Sequence, residues 1–287
     1  SLANPDEAVR QKAREHILES IAVAQETGSR DISCWFADGS NYPGSAHVRR
    51  RREYFREGLE EAHEALGPDQ RLLIEYKPFE PAFYHTDVAD WGMALRFAEM
   101  AGPQAEVLVD TGHHYQSQNI EQIVAWLLAE DRLGGFHFND RRYADDDLTL
   151  GSIDPYQAFR IFHEIGFYRW ETGEDPDLAY MVDQSHNLKP KIEAMIQTVQ
   201  QAQRLYAKTQ LVDYEALRHH QEASNLVDAE RGLKDAYETD VRGLVKGWRQ
   251  ERDLPPDPLT AYRESGYGER ITEERGSQAG SGRSGYT

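Results

Sequence analysis

Four side chains of types that bind metal ions each end, or lie within, a short apolar run of the sequence. They are, in chain order, Glu75, Asp110, His137 and Asp183. Three carboxylates and one imidazole make a hard, oxygen-rich ligand set, which suits Mn²⁺, Mg²⁺ or Co²⁺. One carboxylate in such a place is more often a turn or cap residue. Four in succession favour a metal centre over that structural alternative.

Three more ligand-type side chains lie nearby in the sequence and predict a second ion. His113 follows Asp110 by three residues, across Thr-Gly, so a tight turn can bring both to one ion. Asp145 and Asp147 form an Asp-x-Asp pair in the loop after His137, and at strand spacing residues i and i+2 point the same way. His113, Asp145 and Asp147 are therefore predicted to hold the second cation. The alternative is a solvated acidic loop.

Three residues near these ligands are candidates for contact with a substrate. Lys77 lies two residues after Glu75, so it can polarise a substrate carbonyl, or else form a salt bridge with Glu75. Ser185, two residues after Asp183, can contact a sugar hydroxyl by the same geometry. Trp35 can offer an apolar wall to a sugar ring, and its alternative is plain barrel core.

Alternating helices and strands must position these side chains. Short apolar runs alternate with amphipathic helical segments, which indicates a parallel sheet with helical crossovers. Five strand ends are predicted, near Asp38, Glu75, Asp110, His137 and Asp183. Since a closed α/β barrel takes eight βα units, the fold class predicted is α/β, a TIM barrel with only about its last five units present. Helices are predicted over about 5–28, 46–66, 87–101, 118–130, 155–166 and from about 190.

Three regions are predicted along the chain. Residues 1–200 would be the C-terminal part of the barrel, 201–275 a helical extension with oligomer contacts, and 276–287 a Gly/Ser-rich disordered tail.

The 287 residues include 32 basic and 50 acidic side chains, a net charge of −18 that argues against nucleic acid and anionic membranes as partners. Cys34 is the single cysteine, so no internal disulfide can form. Without a long apolar run or signal peptide, the chain is expected to be cytoplasmic.

The strand-end motifs as a set resemble a known family. They are Ile74-Glu75-Tyr76-Lys77-Pro78, Val109-Asp110-Thr111-Gly112-His113-His114, Phe136-His137-Phe138-Asn139, Asp145-x-Asp147 and Val182-Asp183-Gln184-Ser185-His186. This set resembles the xylose-isomerase-like barrels, and more closely the bacterial L-rhamnose isomerases that also act on D-allose and other rare sugars. The resemblance covers about residues 1–250.

The resemblance implies a residue assignment and a reaction. Its substrate-anchoring metal would be held by Glu75, Asp110, His137 and Asp183, and its catalytic metal by His113, Asp145 and Asp147. Lys77, His113 and Asp183 would be catalytic, with Trp35, Lys77 and Ser185 at the substrate. The implied activity is aldose–ketose isomerisation with two divalent cations, Mn²⁺ or alternatively Co²⁺ or Mg²⁺, in a homotetramer. Hydrogen would move between C1 and C2 as a hydride or through an enediol, and the sequence leaves both routes open.

One departure from the family pattern and three rival functions stay open. The first barrel strands of the family, with the His–Asp pair assigned to ring opening, have no match here. An open barrel would expose edge strands near 32–36 and 178–182, which is an aggregation hazard. A ketose 3-epimerase would need one metal and usually Glu in place of Asp183. A metal-dependent phosphodiesterase would need a basic groove, and the last alternative is an inactive metal-binding fragment.

Overall fold

The computed structural model describes residues 1–80, 84–143, 145–184 and 188–275 of the chain, as seven strands and eleven helices. The strands are β1 Asp31–Trp35, β2 Arg71–Glu75, β3 Phe79–Glu80, β4 Tyr84–His85, β5 Ala105–Asp110, β6 Leu133–Phe138 and β7 Ala179–Val182. The helices are α1 Glu7–Thr27, α2 Val48–Glu64, α3 Trp91–Ala101, α4 Ile120–Ala129, α5 Pro155–Thr172, α6 Lys191–Thr209, α7 Tyr214–Glu222, α8 Leu226–Glu238, α9 Arg242–Gln250, α10 Pro258–Glu264 and α11 Tyr267–Arg275.

Five strands form one parallel sheet in the order β1-β2-β5-β6-β7. Each strand pairs with the next large strand along the chain, and helices cover the connections, as in successive βα units. The apolar side chains of β2, β5 and β6 are buried in the core. The predicted α/β class and the predicted five parallel strands are confirmed, and they form part of a TIM-like barrel.

Side-chain caps fix where the helices around the sheet begin. Asp90, Asn119 and Asp154 each accept a hydrogen bond from a backbone N–H in the first turn, at 2.8–3.0 Å. Such caps satisfy donors that the first turn of a helix leaves unpaired. Each helix therefore starts at a defined residue after a strand, which fixes the length of the loop that carries the strand-end side chains.

The predicted end of helix α5 at Gly166 is wrong. The helix runs on to Thr172 and ends at Gly173, whose φ of 74° lies in the left-handed region. Gly166 lies inside the helix, and Tyr214 packs against it. A Cβ at this position would lie 2.2 Å from the Tyr214 hydroxyl oxygen. This glycine serves close packing between two helices, whereas the sequence pattern suggested a stop.

Two further features surround the half-barrel. The strands β3 and β4 form a small antiparallel pair that was not predicted, since two-residue strands leave no periodic signal. The region after β7 is helical, and Arg263 of α10 makes a bidentate ion pair with Glu193 of α6. The boundary predicted at residue 200 falls inside α6, so the three-region division stays a prediction. Its tail, 276–287, lies outside the described residues.

None of the helices in the described part of the chain is long and apolar enough to cross a membrane.

Candidate metal centre

Four side chains from four neighbouring strands meet at one edge of the sheet. Each offers a ligand atom within 4.8 Å of a ligand atom of every other member: Glu75, Asp110, His137 and Asp183. The parallel register explains this, because all four stand within one residue of the carboxyl ends of their strands, and Asp110 pairs directly with His137 in the ladder. The convergence that the sequence pattern predicted is present in the structure.

One unpartnered polar atom in this cluster fits a cation. His137 Nδ1 is buried without a hydrogen-bond partner, although it lies 3.2 Å from Glu75 Oε2 and 3.9 Å from Asp183 Oδ2. The 3.2 Å approach lacks hydrogen-bond geometry, so proximity alone does not satisfy the nitrogen. A divalent ion among these three groups would accept lone pairs from all of them. Burial would lower the pKa of His137, but the carboxylates of Glu75, Asp110 and Asp183 together outweigh burial and the pKa is raised.

Asp110 is the deepest member, with no exposed surface. Burial raises the pKa of its carboxyl to about 6, with His113 opposing the rise and Glu75 adding to it. Its Oδ1 accepts hydrogen bonds from the backbone N–H of Gly112 at 2.7 Å and from Asn139 Nδ2 at 2.9 Å. A carboxylate held this way has its orientation fixed before any ligand arrives.

His113 lies beside the cluster and bridges it to the acidic loop. Its Nδ1 lies 3.1 Å from the Tyr76 carbonyl oxygen, and its Nε2 lies 2.8 Å from Asp145 Oδ1. Burial would lower the pKa of His113, but Asp110 and Asp145 outweigh it and raise the pKa to about 9. The imidazolium thus supplies positive charge where the sequence predicts a second cation.

Lys77 binds the same loop rather than Glu75. Its ammonium donates to Asp145 and to Glu80, and it lies 5.2 Å from the centre of the Trp35 ring. The side chain is only 6% exposed, and the pKa of Lys77 is raised because the two carboxylates outweigh burial. The salt bridge to Glu75 that the sequence allowed is not the one formed, while the half-exposed Trp35 lies beside Lys77 as a wall.

The acidic loop differs from the strand-like geometry assumed from its spacing. Asp145 and Asp147 both have left-handed backbones, with φ of 61° and 48°, so alternation of side chains along a strand does not apply. The partners His113 and Lys77 outweigh burial and lower the pKa of Asp145, whereas burial and Asp145 raise that of Asp147 to about 7. Among the described residues, His113, Asp145 and Asp147 do not form a second ligand cluster like the first.

One candidate falls outside the structure, and one residue was missed. Ser185 lies outside the described residues. Asn139 is buried against Asp110. It ends the motif Phe136-His137-Phe138-Asn139, but it was assigned no role of its own because an asparagine just after a strand resembles an ordinary turn residue.

Known proteins match this chain in sequence and in fold. The family model described as "Xylose isomerase-like TIM barrel" matches residues 1–198. A probable sugar isomerase of Rhizobium meliloti (strain 1021) is 42% identical over 98% of this chain, and one of Mesorhizobium japonicum is 40% identical over 96%. A crystal structure of a protein from Sinorhizobium meliloti 1021 aligns with a TM-score of 0.52 at 21% identity, covering 69% of this chain and 73% of its own.

The curated relatives are longer than this chain, which spans 66% and 64% of their lengths. The crystal structure shares the fold, and the family model matches more than half of the 287 residues, including all four residues of the strand-end cluster. The chain therefore belongs to the xylose isomerase-like TIM barrel family.

Proposed function

We propose that this chain is the cation-binding part of a metal-dependent aldose–ketose isomerase. The substrates proposed are L-rhamnose, converted to L-rhamnulose, and rare aldoses such as D-allose. The observation that carries the proposal is the convergence of four ligand-type side chains at the carboxyl ends of four parallel strands. The names of the two relatives, both probable sugar isomerases, support this reaction class.

Two cation sites of unequal affinity are proposed. The tighter one is the cluster that ends β2, β5, β6 and β7. The weaker one would use His113, Asp145 and Asp147. It requires His113 to lose its Nε2 proton, and Asp145 to give up its bonds to His113 and Lys77. A bound divalent cation supplies Lewis acidity, polarising sugar oxygens and lowering the pKa of a hydroxyl. Mn²⁺ is the ion proposed, with Co²⁺ and Mg²⁺ as alternatives.

The chain's own residues would bind and orient the sugar. Lys77, held against Trp35, can donate a hydrogen bond to the oxygen at the reacting end of the sugar. Trp35 offers an apolar face to the ring carbons. The Asp183 carboxylate is 56% exposed and can accept a proton from a sugar hydroxyl. His113 keeps its Nδ1 on the Tyr76 carbonyl, which leaves Nε2 to face the second cation. Ser185 remains a proposed contact to a hydroxyl.

The test combines metal counting with a sugar panel. Equilibrium dialysis of the chain against Mn²⁺ is expected to give two bound ions, one retained at lower free Mn²⁺ than the other. Chromatography of aldoses incubated with the Mn²⁺-loaded chain is expected to show ketose formed from L-rhamnose and D-allose, with none after chelation. A chain that binds no Mn²⁺ would contradict the proposal.

One observation favours a second candidate, a ketose 3-epimerase. The described residues contain one such ligand cluster, and an epimerase on this barrel needs one cation. A single bound Mn²⁺ together with epimerised ketose, and no ketose formed from aldose, would establish this alternative. Asp183 and the Asp145/Asp147 pair argue for the isomerase.

A further inference from the structure

We propose that Asn139 is a positioning residue that holds two ligands of the cation site, Asp110 and Asp183, in one arrangement. This inference rests on the proposed function, since it assigns Asn139 to the cluster proposed to bind the cation. Asn139 follows β6 directly and is 2% exposed. It is not itself one of the converging ligands.

The Asn139 amide donates in two directions. Its Nδ2 lies 2.9 and 3.1 Å from the two carboxylate oxygens of Asp110, and 2.9 Å from the backbone carbonyl oxygen of Asp183. One amide hydrogen can therefore serve the carboxylate and the other the carbonyl. A single side chain thus connects a ligand that ends β5 with a ligand that follows β7.

The second connection matters because β7 is the outermost strand of the sheet. It pairs with β6 alone in the part of the chain that the structure describes, and the ladder ends at the pair Phe138 and Val182. Asp183 is the next residue, where backbone pairing has stopped. The bond from Asn139 extends the link between the two strands by one residue, at the point where the ligand must be placed.

The first connection fixes the rotation of the Asp110 carboxylate. Oδ1 accepts from both Gly112 N and Asn139 Nδ2, which occupies both of its lone pairs, so Oδ2 has to supply the lone pair that faces a cation. Gly112 itself lies against the amide, because a Cβ there would be 2.5 Å from Asn139 Oδ1. The close fit of the Thr111-Gly112 turn to Asn139 leaves the amide little room to rotate.

The Thr111 hydroxyl in turn fixes the backbone of Asn139. The Thr111 hydroxyl accepts from the Asn139 backbone N–H at 2.9 Å and lies 2.8 Å from the Asn139 carbonyl oxygen, to which it donates. Outer partners of metal ligands typically contribute about 10- to 100-fold in metal affinity. Such a contribution is expected of Asn139 since it acts on two ligands at once.

The test measures Mn²⁺ affinity by electron paramagnetic resonance in Asn139→Ala and Thr111→Val variants of the whole chain. Asn139→Ala is expected to raise the dissociation constant of the tighter site about 10- to 100-fold and to change the signal of the bound ion. Thr111→Val leaves every proposed ligand intact, and it is expected to raise the constant by a smaller factor. It provides the measurement if Asn139→Ala does not fold.

Asn119→Ala is the matched control, since Asn119 caps α4 and its loss destabilises the fold away from the cluster. Its Mn²⁺ affinity should equal that of the unaltered chain at a temperature where all variants are folded. Unchanged affinity in both Asn139→Ala and Thr111→Val, with normal binding by the unaltered chain, overturns the role of Asn139 alone. An unaltered chain that binds no Mn²⁺ overturns the proposed function as well.

Discussion

Asp183 and Asp177 lie at opposite ends of β7, so substitutions at these two single residues can separate an effect on the site from a general effect of charge. Asp183 follows β7 and joins the ligand cluster, whereas Asp177 precedes β7 and pairs with Arg30 at the other end of the sheet. Asp183→Asn is expected to weaken Mn²⁺ binding by more than the roughly 10- to 100-fold typical of an outer partner, because a direct ligand is lost. Sugar conversion should fall with it. Dialysis and chromatography measure both.

Asp177→Asn is the control for that prediction. It removes the same charge from the same strand, so a general effect of net charge on Mn²⁺ would appear in both variants. The exposed ion pair with Arg30 is expected to contribute less than about 1 kcal/mol to stability. Equal loss of Mn²⁺ affinity in the two variants would contradict a direct role of Asp183.

His163 makes stability depend on pH in a defined range. It is buried on α5, stacks on Tyr214 with ring centres 5.6 Å apart, and its Nδ1 has no partner. Burial lowers the pKa of His163 to about 4, against about 6.5 in an unfolded chain. Between these values the unfolded state binds more protons, so the free energy of unfolding falls as the pH drops from about 6.5 to 4, by up to about 3 kcal/mol.

His163→Phe should abolish this contribution. The ring stays available for stacking, and the buried unpaired nitrogen is removed. The free energies of unfolding of the two proteins, measured by urea titration at several pH values, should diverge in favour of the variant below about pH 6.5. For His219→Phe, at an exposed position on α7, the free energy of unfolding should differ from that of the unaltered chain by the same amount at every pH. A constant difference between His163→Phe and the unaltered chain at every pH would show that His163 does not titrate in this way.

At the residue scale, the sequence predicted which strand-end side chains converge better than it predicted the residues that contact them. Glu75 and Asp110 each end a buried apolar run, so strand alternation and the common edge of a parallel sheet were enough to bring them together. Asp145 could not be placed by the same rule, because its left-handed backbone depends on a loop closed by contacts with His113 and Lys77. Asn139 carries its role in tertiary hydrogen bonds, which no local pattern encodes.

At the scale of elements, replacement of glycine by alanine is expected to have opposite effects on stability at Gly166 of α5 and Gly232 of α8. A Cβ at Gly166 would collide with the Tyr214 hydroxyl, whereas a Cβ at Gly232 would meet no atom within 4 Å. Gly232→Ala should stabilise the chain by about 0.5–1 kcal/mol through helix propensity. Gly166→Ala should destabilise it by about 1–3 kcal/mol, as overpacking does. Thermal unfolding measures both.

Adding Tyr214→Phe to Gly166→Ala separates collision from propensity. The double variant removes the oxygen nearest to the new methyl group and should recover part of the lost stability. The Tyr214 hydroxyl also donates to the Thr209 carbonyl oxygen at 3.1 Å, so Tyr214→Phe alone is the necessary reference. Additive losses in the double variant would mean that the two positions do not interact.

Elements with strong periodicity were predictable, and short ones were not. The βα rhythm predicted the five parallel strands because each has a short apolar run between helical segments. The β3–β4 pair consists of two-residue strands, so its existence depends on neighbouring chain segments rather than on its own sequence. The end of α5 was misplaced for a similar reason, since Tyr214 is 48 residues away from the glycine that it contacts.

At the scale of the whole molecule, the open sheet predicts self-association through its edges. The strand β1 pairs with β2 on one side and with no other strand in the described part of the chain. Such an edge offers free backbone donors and acceptors to a second copy. Ser33 is exposed on β1. The variant Ser33→Lys should lower the molar mass measured by light scattering toward that of the monomer.

Gln221→Lys, at an exposed position on α7, adds the same charge away from the edge and should leave association unchanged. If both variants dissociate equally, charge rather than edge pairing governs assembly. The homotetramer proposed for the whole protein is a separate assembly. Its mass is to be measured by sedimentation of a protein that has the full length of the curated relatives.

The sequential order of the sheet has a consequence for how the centre comes into being during translation. Because each strand of the five-stranded sheet pairs with the strand of that sheet made before it, the sheet can grow in step with the emerging polypeptide. Glu75, Asp110 and His137 come together once β6 has docked, and Asp183 joins only with the outermost strand. A nascent chain that stops before β7 would therefore present three members of the cluster, and the fourth is added only once residue 183 has left the ribosome.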